Sequence, residues 1–181
     1  GITIFRVDPD AGTLEPTGLS APTTASSLTF SPSGRFVYVV NAVGHSISGL
    51  AVNESTGALT VTVPPMLTGG QGPNSVALDP GGRFAYVANG TSGNISVFAV
   101  DADTGALIPL GAPVDAGPGC NSLAVDPTGR FVHVANGSDN TLMSFAIDPA
   151  TGLLSRAHTV SARQAPAAIA LATGDTPVRL Q

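Results

Sequence analysis

The sequence predicts an all-β protein made of about four repeats of a four-stranded antiparallel unit of about 47 residues. Only 10% of the residues are charged, whereas the chain has 22 Gly and 15 Pro, a composition that favours short strands joined by turns. Three segments align without gaps, and their shared Gly-Arg-Phe motif begins at Gly34, Gly82 and Gly129. A second motif, Gly-x-Leu, occurs four times, at Gly12, Gly57, Gly105 and Gly152.

Each unit divides into four strand-sized segments, which we name A to D. Segment A is short and apolar, with copies at 28–30, 76–78, 123–125 and 169–171. A Pro-x-Gly turn follows, in which Pro presets φ and Gly supplies a positive φ. Segment B runs from a Phe to an Asn, at 36–41, 84–89 and 131–136. Segment C is apolar, with copies at 2–7, 47–52, 95–100 and 142–147, and a turn connects it to a more polar segment D that fits an outer edge.

The apolar character of segments A to C predicts a β-propeller of four-stranded blades. Strands that are apolar at nearly every position are covered on both faces. A propeller covers them because each blade stacks between two neighbours, whereas a β-sandwich shows more alternation and no 47-residue period. The predicted blade units are 27–74, 75–121 and 122–167, with 168–181 plus 1–26 as a split fourth blade.

Two arrangements of these units remain open. Either the four blades close a small ring, or the chain is the C-terminal portion of a larger propeller, which we favour. An incomplete propeller exposes sheet edges and apolar blade faces, so in that case we expect self-association.

Charge and motif content exclude several classes of function. The formal net charge is −5 and no basic cluster occurs, which argues against a nucleic-acid partner. No apolar run approaches the roughly 20 residues of a membrane span. Cys120 is the single cysteine, so no internal disulfide is possible. No metal-ligand spacing and no nucleotide-binding motif occurs, and a Gly-rich run at 69–72 is a weak phosphate cradle, so we predict no cofactor.

One face of the propeller is the predicted site of ligand binding. In a four-stranded meander, the D-to-A and B-to-C connections emerge on one face, which we call the mouth, and propeller ligands normally bind at such loops. His45 is the candidate catalytic residue, a general base that would take a proton from an attacking water; the alternative is an ordinary surface histidine. The candidate ligand-binding residues are Asn41, Asn74, Asn89, Asn121, Asn136 and Arg163. The alternatives are asparagines that serve left-handed turns and a solvated loop arginine.

Other polar residues are expected to be structural. His133 takes the place of Tyr38 and Tyr86 in the other units, which predicts a packing position, and His158 lies on an exposed segment D. Arg35, Arg83 and Arg130 recur beside the Pro-x-Gly turns on the opposite face, so we expect them to support those turns, with Asp79 and Asp126 as ion-pair partners.

The repeat also resembles a known family. The string P-x-G-R-F-V-Y-V-x-N with a following Thr-Gly-x-Leu turn is similar to the lactonase-type seven-bladed propellers, which include bacterial 6-phosphogluconolactonases. Tyr86-Val87-Ala88-Asn89 resembles the YVTN repeat of propellers that are mostly extracytoplasmic. The segment 41–47 matches the family's Asn-Arg-Gly-His-x-Ser-Ile at its Asn and His, but not at its Arg. The resemblance implies about four of seven blades in a WD40-like architecture and a bacterial protein, with an extracytoplasmic location favoured.

Three functions are compatible with these observations. The first is a lactonase-like propeller scaffold whose mouth binds a small polar ligand, such as a sugar acid, or a partner. The second is a 6-phosphogluconolactonase-like hydrolase of sugar-acid lactones, with His45 as base and Arg163 as the anchor for the anion. The third is a structural repeat module of a bacterial surface protein.

Overall fold

The computed structural model describes residues 1–21 and 24–171, and these residues form fifteen β-strands. The strands are β1 (Ile2–Val7), β2 (Leu14–Ala21), β3 (Ser27–Phe30), β4 (Phe36–Asn41), β5 (Ser46–Val52), β6 (Leu59–Leu67), β7 (Pro73–Leu78), β8 (Phe84–Asn89), β9 (Asn94–Val100), β10 (Leu107–Pro109), β11 (Val114–Asp115), β12 (Cys120–Val125), β13 (Phe131–Asn136), β14 (Thr141–Ile147) and β15 (Leu154–Ser161). No helix that could span a membrane occurs among the described residues.

The strands form four antiparallel sheets in chain order. Strands β1 and β2 make an N-terminal hairpin. Strands β3–β6 form blade 1, β7–β11 form blade 2 and β12–β15 form blade 3, each as a simple meander. The outer edge of blade 2 is interrupted, because β10 and β11 both pair with β9 on either side of a turn at Gly111. The prediction of an all-β protein with four-stranded antiparallel blades is confirmed.

The segment B strands β4 and β8 are buried on both faces, as their apolar composition predicts. In β8, Phe84, Tyr86 and Ala88 belong to the core between blades 2 and 3. Ala85 and Val87, which alternate with them, belong to the core between blades 1 and 2. Because side chains along a strand alternate between faces, one strand contributes to two interfaces at once.

In blades 2 and 3, the glycine of the Gly-x-Leu turn packs against the preceding blade. Gly105 of blade 2 lies against the Phe36 ring of blade 1, so close that an added Cβ would come 2.5 Å from Cδ1 of that ring. The carbonyl oxygen of Gly105 accepts a hydrogen bond from the Tyr38 hydroxyl at 3.0 Å. Burial raises the pKa of Tyr38 to about 12, so the hydroxyl stays protonated and remains a donor at neutral pH. Gly152 of blade 3 repeats this lock on blade 2.

His133 occupies the equivalent position in blade 3 but makes a different contact. Its ring is half-buried, and Nδ1 lies 2.8 Å from Oγ of Ser144, its cross-strand neighbour in β14. Tyr38 and Tyr86 instead are fully buried and donate to the glycine of the next blade. His133 therefore replaces the tyrosine of the other blades, and its hydrogen-bond partner lies within its own blade.

The predicted split fourth blade depends on residues 172–181, which lie outside the described residues, so the pairing of 168–181 with 1–26 stays a prediction. Residues 162–171, which follow β15, form no strand. The Ile169 N–H donates to Oγ of Ser122 at 3.3 Å, just as the Leu123 N–H donates to Oγ of Ser75 at 3.2 Å. This correspondence places 169–171 beside blade 3, in the position of the next segment A.

An apolar cavity of about 340 Å³ lies between the N-terminal hairpin and blade 1. It is lined by Ile2, Phe5, Leu28 and Phe30 among other residues, and Phe5 and Phe30 are 49% and 57% exposed. The self-association expected of an incomplete propeller stays a prediction.

Candidate functional site

The mouth is built from turns that repeat with the same backbone shape in all three blades. Each B-to-C turn has its fourth residue in the left-handed region, at His45 (φ 49°), Gly93 (φ 66°) and Asn140 (φ 57°). The carbonyl of that residue accepts a hydrogen bond from the segment that leads to the next blade, from Thr68, Ala116 and Ala162 respectively. Gly and Asn are the residues that most readily adopt this conformation, so His45 is the departure from the pattern.

His45 is exposed at the junction of blades 1 and 2, and the backbone fixes its tautomer. Its Nδ1 lies 3.0 Å from the N–H of Gly72, which can only donate. In the neutral ring, Nδ1 is therefore the acceptor and Nε2 carries the proton. His45 consequently offers an Nε2–H donor to the mouth, and this geometry favours hydrogen-bond donation over the general-base role predicted from the sequence.

The glycine-rich run at 69–72 positions these groups. An added Cβ on Gly72 would lie 2.2 Å from Thr91 Oγ1, and one on Gly70 would lie 2.5 Å from the Asn89 amide. The Gly72 carbonyl also accepts the N–H of Gly90 at 2.9 Å. The run thus allows loops of two blades to pack tightly, and it delivers the N–H that orients His45. Sequence analysis missed this role of Gly72, because nothing in the local pattern links it to a histidine 27 residues earlier.

The asparagines that end segment B serve the fold. Asn89 is fully buried; its amide donates to Asn94 and Ser96, and its oxygen accepts from Thr68. Asn41 is half-buried and accepts the N–H of Gly44 at 3.0 Å. Asn41 also donates to Thr24 Oγ1, so the hydrogen-bonding groups of both asparagines are used within the protein.

Asn136, the equivalent residue in blade 3, is also fully buried and donates to Thr141 Oγ1 at 3.2 Å. Its oxygen is buried and has no partner among the described residues. A direct ligand-binding role for Asn41, Asn89 and Asn136 stays a prediction, and the hydrogen bonds of Asn41 and Asn89 favour the structural alternative.

Asn74 and Asn121 are better placed to meet a ligand. They lie two residues before segment A, in β7 and β12, where Asn74 is half-buried and Asn121 is exposed. A Cβ on Gly90 would lie 2.3 Å from the Asn74 amide nitrogen, and one on Gly137 would lie 2.3 Å from that of Asn121. The two amides therefore occupy equivalent positions on neighbouring blades. The Asn74 oxygen is buried without a partner among residues 1–21 and 24–171.

Arg163 is exposed on the connection that follows blade 3. His45 lies at the junction of blades 1 and 2, and no contact between the two residues is present in the described part of the chain. The structure therefore does not bring the predicted base and the predicted anion anchor together on one blade junction. The described residues also contain no cluster of three His, Cys, Asp or Glu side chains that could hold a metal ion.

Comparisons with known proteins identify the family. Residues 10–123 match the family model described as lactonase, 7-bladed beta-propeller. No curated protein sequence matches significantly. Among solved structures, the periplasmic gluconolactonase PpgL of Pseudomonas aeruginosa is 28% identical with a TM-score of 0.74, covering 91% of this chain and 48% of that protein.

Two other structures are similar. A Lactobacillus plantarum protein is 25% identical with a TM-score of 0.77, covering 92% of this chain and 50% of its own. A candidate 6-phosphogluconolactonase from Bacteroides uniformis is 22% identical with a TM-score of 0.81, covering 91% and 49%. The chain thus spans about half the length of the structures it matches. The matched family model, together with the repeated four-stranded blades, shows that the chain belongs to the lactonase family of seven-bladed β-propellers.

Proposed function

We propose that the mouth binds a small polar ligand of the sugar-acid or lactone class, with His45 donating Nε2–H to a carbonyl or carboxylate oxygen. The observation that carries the proposal is the hydrogen bond from the Gly72 N–H to Nδ1, which leaves Nε2–H as the outward donor. The position itself adds support, because a histidine stands where the other blades have Gly93 and Asn140 in the same left-handed conformation. Residues held in such conformations cluster at functional sites.

Asn74 and Asn121 complete the proposed site as hydrogen-bonding groups for ligand hydroxyls. Their amides repeat on neighbouring blades at the mouth end of segment A. The exposed Asn121 amide both donates and accepts, which suits the hydroxyl groups of a sugar acid, whereas the buried oxygen of Asn74 leaves that residue only its amide N–H groups for a ligand. Arg163, on the connection after blade 3, supplies a positive charge for a carboxylate if the ligand extends that far.

Binding is tested by titrating the protein with gluconate and with glucono-lactone. His45→Asn reproduces the residue that blade 3 carries at this turn, so the backbone should be retained while the Nε2–H donor is lost. We expect affinity to fall about tenfold, the value of one hydrogen bond to a charged oxygen. The control is Asn140→Gly, which alters the equivalent turn of blade 3 and should leave affinity unchanged. Equal affinity of wild type and His45→Asn would refute the proposal.

Lactone hydrolysis is the second candidate, and the likeness to the P. aeruginosa gluconolactonase favours it. In this reaction, water adds to the carbonyl carbon, the ring C–O bond breaks, and the ring oxygen takes a proton to give the hydroxy acid. A donor at Nε2 would stabilise the negative charge that develops on the carbonyl oxygen. His45→Gln separates this role from a base: glutamine can donate but cannot accept the proton of water. Retained hydrolysis in this variant supports donation, and complete loss supports the base.

The extracytoplasmic location remains part of the proposal. It is supported by the periplasmic location in the name of the P. aeruginosa protein. Cell fractionation of the source organism tests it directly.

A further inference from the structure

The face opposite the mouth carries a cleft between blades 2 and 3 that differs from its counterpart between blades 1 and 2. The blade 2–3 cleft has a volume of about 410 Å³, and the blade 1–2 cleft about 220 Å³. Both lie between a Pro-x-Gly turn of one blade and the C-to-D turn of the next. The groups that matter in the larger cleft are Arg83, Arg130, Asp79, Thr128, Phe131 and Pro149.

In the blade 1–2 cleft, the guanidinium of Arg35 makes hydrogen bonds across the cleft. Arg35 stacks on the Phe36 ring and reaches across the cleft, where its guanidinium donates to the carbonyl oxygens of Ala102 and Asp103 at 3.5 and 3.3 Å. Asp103 also lines this cleft. The positive charge of Arg35 is thus used to hold two blades together.

In the blade 2–3 cleft, the equivalent contact is missing. Pro149 and Ala150 stand where Ala102 and Asp103 stand in blade 2, so the acidic side chain is lost. Arg83 stacks on the Phe84 ring, and its Nε lies 3.8 Å from Asp79 Oδ2; among the described residues it makes no hydrogen bond across the cleft. Its side chain is 60% exposed.

Arg130 faces the same cleft from blade 3. Its guanidinium lies 5.5 Å from the Phe131 ring centroid and makes no ion pair within the described part of the chain. The predicted ion pair with Asp126 is absent there, and that carboxylate accepts the backbone N–H groups of Arg130 and Phe131, each at 2.7 Å. Two arginines with unused donors therefore flank one cavity, in a chain that has only seven basic residues.

The acidic groups beside the cleft are already compensated. Asp79 is buried, and its oxygens accept the N–H groups of Gly81, Arg83 and Phe84 at 3.3, 2.7 and 2.7 Å. Asp126 accepts the hydroxyl of Thr128 besides its two backbone donors. Carboxylates engaged in this way leave the guanidinium groups available to an anion from solution.

We infer that the blade 2–3 cleft is a second binding site, which takes the carboxylate or phosphate group of a small ligand between Arg83 and Arg130. Guanidinium groups suit such oxyanions because their N–H donors match two oxygens at once. The Phe131 ring, Pro149 and Ile147 supply apolar surface for the rest of the ligand. This site lies on the opposite side of the blades from His45, so it stands independently of the proposed function.

The test uses inorganic phosphate and acetate as probes, at ionic strength matched with sodium chloride so that general screening cancels. NMR follows the Nε–Hε signals of the arginines during each titration. We expect saturable shifts for Arg83 and Arg130 and none for Arg35. A response to phosphate alone assigns the phosphate class, and a response to acetate alone assigns the carboxylate class. Absence of saturation with both probes would overturn the inference.

Variants connect the response to the cleft. Arg83→Gln and Arg130→Gln should each weaken binding about tenfold, whereas the matched control Arg35→Gln should not change it. Ala150→Asp restores the acid found in the closed cleft and should weaken binding to a similar extent. Arg83→Lys keeps the charge without the planar donor fork, so an intermediate affinity is expected. Equal weakening by Arg35→Gln would show that the response is not specific to this cleft and would refute the site.

Discussion

The glycines of the Gly-x-Leu turns allow a sharp test of how the blades are joined. Gly105 and Gly152 have φ near 73° and pack on the Phe36 and Phe84 rings, where an added Cβ would lie 2.5 and 2.3 Å from the nearest ring carbon. Gly111 of blade 2 has φ 70° but no atom within 4 Å of an added Cβ. Alanine at Gly111 therefore has only the cost of a left-handed backbone. Alanine at Gly105 or Gly152 has this cost and also a steric clash with the phenylalanine ring.

The magnitudes follow from these two contributions. A left-handed conformation costs an L-residue about 1–2 kcal/mol, so Gly111→Ala should lower the free energy of unfolding by that amount. Overpacking adds about 1–3 kcal/mol, so Gly105→Ala and Gly152→Ala should lower it by about 2–5 kcal/mol. Since about 1 kcal/mol corresponds to about 2–4 °C in a chain of this size, the difference is measurable in thermal melts followed by circular dichroism.

A double-variant cycle identifies the ring as the cause. Phe36→Leu removes the ring edge under Gly105, so Gly105→Ala should cost less in that background, while the cost of Gly152→Ala should not change. The reasoning is refuted if Gly111→Ala destabilises as much as Gly105→Ala. It is also refuted if Phe36→Leu relieves both glycine variants equally.

Three further outcomes are expected. Tyr86→Phe leaves the carbonyl of Gly152 without its 3.1 Å donor inside the blade interface, so urea titration should show a loss of about 1–3 kcal/mol, and an unchanged midpoint would contradict the interface lock. Burial raises the pKa of the Cys120 thiol to about 12. The thiol should therefore resist alkylation at pH 8 in the native protein and react after the protein is unfolded in urea, and mass spectrometry measures the extent of alkylation. Hydrogen bonds from the backbone and side chain of Thr104 and from the Asp103 backbone lower the pKa of Asp101, so its contribution to stability is present above about pH 4 and is lost as pH falls through the lower, folded-state pKa. Asp101→Asn should keep the turn, as Asn53 does in blade 1, and flatten the acid limb of the stability curve; an unchanged limb would exclude this carboxylate as a source.

The sequence predicts the blades well because their determinants are local and repeated. The Phe-to-Asn span of segment B is enough to place β4, β8 and β13, and the recurring glycines mark the positive-φ turns. The interruption between β10 and β11 was not predicted, since one unit departs there from its siblings.

The site is less predictable because its geometry depends on contacts between blades. The tautomer of His45 is set by Gly72, and the cleft at Arg83 is bounded by Pro149 of the next blade. Asn89 is predicted to line the mouth because it ends a strand; in the structure its side-chain oxygen accepts a hydrogen bond from Thr68 and its amide nitrogen donates to Ser96. For His45 and for the cleft at Arg83, the informative signal is a difference between units at an equivalent position.

The alternation of β8 between two interfaces restricts how this kind of chain can change in length during evolution. Inserting or deleting one residue within the strand would exchange the side chains that face blade 1 for those that face blade 3, so both contacts would fail together. Duplicating a whole unit, in contrast, preserves every facing pair, because each blade presents the same glycine turn in front and the same phenylalanine behind. Lengthening of such a protein should therefore occur in steps of one complete unit or within its loops, and family members are expected to differ in loop size while their central strands keep a constant length.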